Sequence, residues 1–290
     1  MIKRTLGDRL FDGANYAAML IIFVIMVYPF LYIINYSLSD PALISGSALL
    51  LPQNPNIDAY VLAFSDSSIV NGIFISVART ISGSALMIFF TSMAGYVLTR
   101  DDLIAIRFFR RFFVLTMYFS SGIIPAYILM NELHLAGTFL VYILPSAVAV
   151  FNLILIKTYI EGLPKSLEES ALIDGANDFQ LFFRIIFPIS KPVIAAVVLF
   201  ACIAQWNAFI DTQFYNAMNT DLYPLQYVLY NALQSISSIE QITIGRRVQH
   251  VTPESLKMAI TVITVLPIML VYPILQKYFI KGLLIGSIKG

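Results

Sequence analysis

The sequence predicts an all-α membrane protein with six transmembrane helices and both termini in the cytoplasm. Three observations carry that prediction: an apolar content beyond any soluble core, six apolar runs of spanning length, and basic residues gathered on one side of them.

Of 290 residues, 59% are hydrophobic and 12% charged, with a mean hydropathy of +0.81. Soluble domains run at about 45–50% apolar and about 25% charged. A soluble fold of this length cannot bury the excess, so lipid must solvate it. The balance of 18 Lys+Arg against 17 Asp+Glu leaves no electrostatic footprint for nucleic acid. Cys202 is the single cysteine, which excludes an internal disulfide, and its apolar surroundings read as core.

The first apolar run, 14–38, follows Lys3, Arg4 and Arg9. It exceeds the ~7–15 residues of a signal-peptide core and no small-residue cleavage site closes it, so a retained span is expected. Further windows fall at 69–98, 108–130, 138–160, 192–212 and 259–280. They are too long and continuous for barrel strands, so helices are expected. Fourteen basic residues lie on one side: the first three, then Arg100, Arg107, Arg110 and Arg111, then Lys157, Lys165, Arg184 and Lys191, then Lys277, Lys281 and Lys289. Arg246, Arg247 and Lys257 lie on the other, which places both termini inside. The expected organisation is a first helix and external loop over 1–68, then a five-helix core over 69–290. Two connections exceed simple turns, a cytoplasmic loop at about 161–191 and an external loop at about 213–258.

Acidic residues keep to loops and span edges, Asp211 coming nearest the interior. Carriers coupled to protons or sodium need ionisable groups in their spans, so that class is disfavoured. Arg79 is the clear intramembrane charge. It either snorkels or pairs with a partner chain, or it serves a substrate path. Ser76, Thr80, Gly83, Met87, Thr91 and Ala94 form a small, polar stripe that packs a helix closely or lines a cavity. Pro29, Pro125, Pro145, Pro267 and Pro273 should kink other spans.

In the cytoplasmic loop, Ser166 and Glu169 have capping-box spacing, so a helix should start near Leu167. Asp174-Gly175 should end it. Asn177 with Gln180 should cap a second helix presenting Phe179, Phe182, Phe183 and Ile186 on one face. Such aromatic anchors suit a docking surface for a partner groove. The alternative is an amphipathic helix on the lipid surface, although Glu168, Glu169, Asp174 and Asp178 would be repelled by anionic headgroups.

The string Glu169-Ser170-Ala171-Leu172-Ile173-Asp174-Gly175-Ala176, followed by Ile185 and Pro188, resembles the cytoplasmic EAA signature of binding-protein-dependent ABC importer permeases. Ser170 replaces the usual Ala and Phe187 the usual Leu. The resemblance implies the type I importer permease fold in a bacterial cytoplasmic membrane. It makes this segment the coupling helix, with Glu169, Ala171, Asp174, Gly175 and Ala176 meeting an ATP-binding subunit. It further implies a second homologous permease, two ATP-binding subunits and an extracytoplasmic solute-binding protein, whose cleft the external loop would enter. Gln205-Trp206-Asn207 resembles carbohydrate importers of the maltose-permease kind. The segment from Thr252 through Gln276-Lys277-Tyr278-Phe279 to Gly290 is similar to the branch for larger oligosaccharides, alginate- and pectin-type sugars included.

No Gly-x-x-x-x-Gly-Lys-Ser/Thr loop occurs, so ATP and Mg are expected on partner subunits and no cofactor on this chain. His134 and His250 are far apart with no cysteine beside either, so no metal site is expected. No nucleophile–base set suggests an enzyme. For the substrate path the candidates are Trp206, Asn207, Gln205, Ser76 and Thr80. An indole stacks on sugar C–H faces and an amide pairs with hydroxyls. Trp206 can equally be an interfacial anchor and Asn207 a helix-packing amide. Arg246, Arg247, His250 and Lys257 would suit an acidic sugar, or are simply solvated.

Overall fold

A computed structural model describes residues 6–44, 49–234 and 251–287, with side chains over 7–44, 49–234 and 251–273. Arg246, Arg247 and His250, the basic residues Lys3, Arg4 and Lys289, and the side chains of Gln276–Phe279 and Lys281 fall outside the described residues. Helices are the regular structure throughout, and no strand occurs among the described residues. The chain forms two compact units, Met1–Ser67 with Asn231–Val265, and Ser68–Tyr230 with Leu266–Gly290.

The first unit holds α1 (Leu6–Ser37), α2 (Asp58–Phe64) and the start of the last helix, α13 (Pro253–Ser287). The loop after α1 is tied back to it. Asn35 donates to Leu49 O (3.2 Å), and Ser39 Oγ accepts from Gln53 N–H (3.0 Å) while donating to Asn35 O (2.6 Å). Asp40 caps the turn Pro41–Leu43 through Ala42 N–H. Thr252 Oγ1 caps α13 by accepting from Ser255 N–H (3.2 Å).

The second unit is built on α3 (Ser67–Val97). Around it lie α4 (Ile106–Thr116), α5 (Ile123–Glu132), α6 (Val150–Glu161), α7 (Ser166–Ile173), α8 (Asp178–Leu181), α9 (Phe187–Ile189), α10 (Lys191–Asn207), α11 (Ile210–Tyr215) and α12 (Leu225–Gln234). Among the described residues α1, α3 and α13 are single helices long and apolar enough to cross a membrane. With 17 residues, α10 rises about 26 Å, just under a full crossing.

The 192–212 window leaves its helix at Asn207, and two other expected spans are broken within their length. The 108–130 window is interrupted between α4 and α5, where Gly122 takes φ +82° after Ser120-Ser121. The 138–160 window begins with a 3₁₀ turn at Phe139–Tyr142 and becomes α-helical only at Val150, with Pro145 in the gap. Irregular backbone at membrane depth needs protein donors and acceptors. In the second window α3 supplies both: Thr91 Oγ1 accepts from Ala149 N–H (3.1 Å) and donates to Ala147 O (3.4 Å). Gly95 brings α6 close, since a Cβ there would lie 3.2 Å from Ile156. At Thr91 the stripe packs against protein.

Candidate functional site

Two places in the second unit carry the predicted functional residues. The first is the loop between α6 and α10. Lys165 already takes helical geometry, with Leu167 N–H bonded to Pro164 O and Glu169 N–H to Lys165 O. The expected Ser166–Glu169 capping box therefore does not form. Pro164 pre-sets the first turn, so α7 starts early and Ser166 lies inside it rather than at its cap.

The stop of α7 follows the expectation at Asp174-Gly175 and adds detail. Gly175 takes φ +78°; its N–H bonds Leu172 O and Ala176 N–H bonds Ala171 O, both at 3.0 Å. This is the Schellman pattern, in which a left-handed residue turns two donors back onto orphan carbonyls. Ala171 is buried, and Ala176 packs against the same core. Of the five signature residues, these two alanines and Gly175 build the turn, leaving Glu169 and Asp174 exposed. Ile173, 86% exposed at the apex, was missed from sequence. Its signal was position: the last helical residue before the turn.

Asn177 caps α8 as expected. Its Oδ1 accepts from Gln180 N–H (2.9 Å), and Gln180 Oε1 accepts from Asn177 N–H (3.1 Å). The single aromatic face does not occur. A π-turn at Phe182–Ile186 buries Phe182 and Ile186 beside Tyr96 and Ile160, while Phe179 and Phe183 remain outside. The rings of Phe182 and Tyr96 lie 5.3 Å apart. An 80° bend then leads into α10. Arg100, just past α3, reaches Asp178 (3.0 Å), Tyr96 OH (3.2 Å) and both oxygens of Asp102 (3.0 Å each). That fork holds the Asp102 carboxyl below its usual range and raises the Arg100 guanidinium.

The second place is a buried polar centre. Arg79, 1% exposed on α3, donates to Gln205 Oε1 (3.3 Å), Ala208 O (3.1 Å) and both carboxylate oxygens of Asp211, with its guanidinium 4.4 Å from the Tyr142 ring centroid. The charge is thus paired within its own chain. Ala208 ends α10, and its extended backbone frees the carbonyl that Arg79 takes up. Gln205 completes the brace, donating to Ser146 Oγ (2.8 Å) and Tyr142 O (3.3 Å). Gly83 makes room, since a Cβ there would lie 2.6 Å from Gln205 Nε2.

The five path candidates separate. Ser76 is fully buried and accepts from Leu225 N–H (2.8 Å) at the start of α12. Gln205 is occupied as described. Thr80 and Trp206 line a cavity of about 190 Å³ whose other walls, including Val77, Cys202, Pro267 and Tyr272, are mainly apolar. Asn207 alone of the five is exposed. Among the described residues no cluster of three or more His, Cys, Asp or Glu could hold a metal.

Residues 104–285 match the family model described as the binding-protein-dependent transport system inner membrane component. The chain is 37% identical over 286 residues to the polygalacturonan/rhamnogalacturonan transport system permease protein YtcP of Bacillus subtilis, covering 98% of this chain and 99% of that one. It is 38% identical over 292 residues to protein LplC of the same organism, covering 100% and 98%. A chain of a bacterial ABC transporter involved in the import of the acidic polysaccharide alginate superposes with a TM-score of 0.88 at 28% identity, over 96% of this chain and 100% of that one. With that agreement in sequence and fold, the chain belongs to the binding-protein-dependent transport system inner membrane components, multi-pass transporter permeases and not enzymes.

Proposed function

We propose that this permease takes up oligosaccharides carrying uronate groups across a bacterial cytoplasmic membrane, driven by ATP hydrolysed on separate subunits. The observation that carries the reading is likeness over nearly the full chain to a polygalacturonan/rhamnogalacturonan permease, joined by the alginate importer's fold. Polygalacturonan and alginate share the uronate carboxylate. The chain works with a second homologous permease, two ATP-binding subunits and an extracytoplasmic solute-binding protein, and binds no cofactor itself. Six membrane crossings with both termini inside, two of them built from broken helices, satisfy the distribution of basic residues.

Coupling runs through the turn after α7. Ile173, Glu169 and Asp174 meet the ATP-binding subunit, while Ala171, Gly175 and Ala176 hold that apex in shape. When the ATP-binding subunits close, the apex moves as a rigid body and biases the spans between outward- and inward-open states. For the path, exposed Asn207 is the better candidate for a sugar, because hydroxyls need polar partners that the apolar cavity beside Trp206 lacks. The test is uptake by the assembled complex in proteoliposomes. Oligogalacturonide uptake requiring ATP and the binding protein is expected, and uptake that proceeds without ATP would overturn the reading.

A further inference from the structure

The helix after α3 carries positive charge that the protein leaves uncompensated. α4 reads Ile-Arg-Phe-Phe-Arg-Arg-Phe-Phe-Val-Leu-Thr and contains no acidic residue. At about 100° per residue, Arg107, Arg110 and Arg111 share one side and Phe108 and Phe112 the next. The Phe108 and Phe112 rings stack 6.0 Å apart, and both residues are exposed. Arg110 is engaged, donating to Leu98 O (2.7 Å) and Asp101 (2.9 Å). Asp102 is held by Arg100. Arg107 and Arg111, one turn apart and exposed, have no bonding partner among the described residues. The opposite side of α4, with Ile106, Phe109 and Phe113, is turned to an apolar groove lined also by Val97, Leu98 and Leu103.

We propose that α4 is a binding site for an anionic phospholipid. Arg107 and Arg111 hold the headgroup phosphate, and its acyl chains cover Phe108 and Phe112. Position supports this occupant: α3, a helix of spanning length, ends at Val97, and α4 starts nine residues later at Ile106. Charge supports it too. The nearby carboxylates are already paired, so the two guanidiniums stand open to an outside anion, and a phosphate matches their fork geometry. Stacked exposed rings beside arginines require an apolar solvent on one flank and an anionic one on the other. A headgroup boundary provides both. An acidic protein surface would answer the arginines but leave the rings in water.

The test uses the purified full-length chain in detergent, offered equal phosphatidylglycerol and phosphatidylcholine, with retained lipid counted by native mass spectrometry. The parental chain should prefer phosphatidylglycerol, and added salt should weaken that preference. R107Q/R111Q should cut it on the order of tenfold, a few-fold for each arginine near a headgroup surface. The charge-conserving pair R107K/R111K should keep part of it, because lysine supplies the charge without the fork, and R9Q on α1 should change it less than about twofold. Three results overturn the proposal: parental preference in a folded R107Q/R111Q, an equal loss in R9Q, or unchanged lipid retention together with lost capture of the ATP-binding subunit.

Discussion

The loop from Gly162 to Ser190 closes its turns with neighbours, Gly175 onto Leu172 and Asn177 onto Gln180, whereas the centre around Arg79 joins residues 126 to 132 positions apart. Local closure leaves side chains to spare, and Ile173, Glu169 and Asp174 project from a turn that needs none of them. The polar centre has nothing to spare. Gln205 uses both ends of its amide, and Arg79 meets a carboxylate, a carbonyl and an amide together. One region can therefore change partners at its surface without refolding, and the other cannot lose a member without leaving a buried group alone.

The sharpest way to break this contrast is to remove the anion. Asp211→Leu leaves a buried guanidinium unpaired, and breaking such a pair costs about 3–5 kcal/mol. Asp211 is 24% exposed, so water should relieve part of that and place the loss at the low end of the range. Arg79→Met should cost somewhat less, because the carboxylate left behind can reach solvent. The double variant should recover stability relative to Asp211→Leu, read as the unfolding midpoint of purified protein. A loss under about 1 kcal/mol for both single variants would mean the pair is not a structural brace.

Next in size is Gly83→Val. Its added carbons would meet an amide held at both ends by Ser146 and Arg79, so the Gln205 side chain cannot swing away. Overpacking of this kind costs about 1–3 kcal/mol. Gly175→Val tests the other region. Nothing lies within 4 Å of its Cβ position, so the penalty comes from φ +78° alone, about 1–2 kcal/mol and mostly local. Global stability should move little while capture of the ATP-binding subunit falls. Gly175→Asn, which tolerates the left-handed region, should retain more capture than Val. Equal capture in all three forms would separate the turn from coupling.

These regions also explain what could be read in advance. The Asp174-Gly175 stop and the Asn177–Gln180 cap were legible because each is settled within a few residues. Arg79 reads as an intramembrane charge and Asp211 as the acidic residue nearest the interior, but nothing in a linear reading pairs positions 132 apart. The broken spans were hidden for a related reason. Hydropathy over 108–130 and 138–160 reports solvent, not helix continuity, and the Thr91 hydroxyl that serves the second break sits on α3. Phe182 and Phe183 were assigned one face because a π-turn, which shifts the helical period, has no clear local signature.

The smallest expected effect tests whether local rules in the loop act as read. Ser166 and Asn177 have the same capping-box spacing in sequence, yet only Asn177 makes both bonds. Asn177→Ala should cost about 1 kcal/mol, the usual loss for an N-cap amide. Ser166→Ala should be neutral or slightly favourable, because that hydroxyl satisfies no helix donor and Ala is the better helix former. A global unfolding midpoint would blur this difference, since α8 has only four residues. Amide hydrogen exchange resolves it: Gln180 N–H should exchange about fivefold faster in Asn177→Ala, as expected for the loss of about 1 kcal/mol of local protection. Asn177→Asp should restore the acceptor and most of that protection. If Ser166→Ala instead speeds exchange at Glu169, Ser166 caps α7 after all, and Pro164 does not set its start.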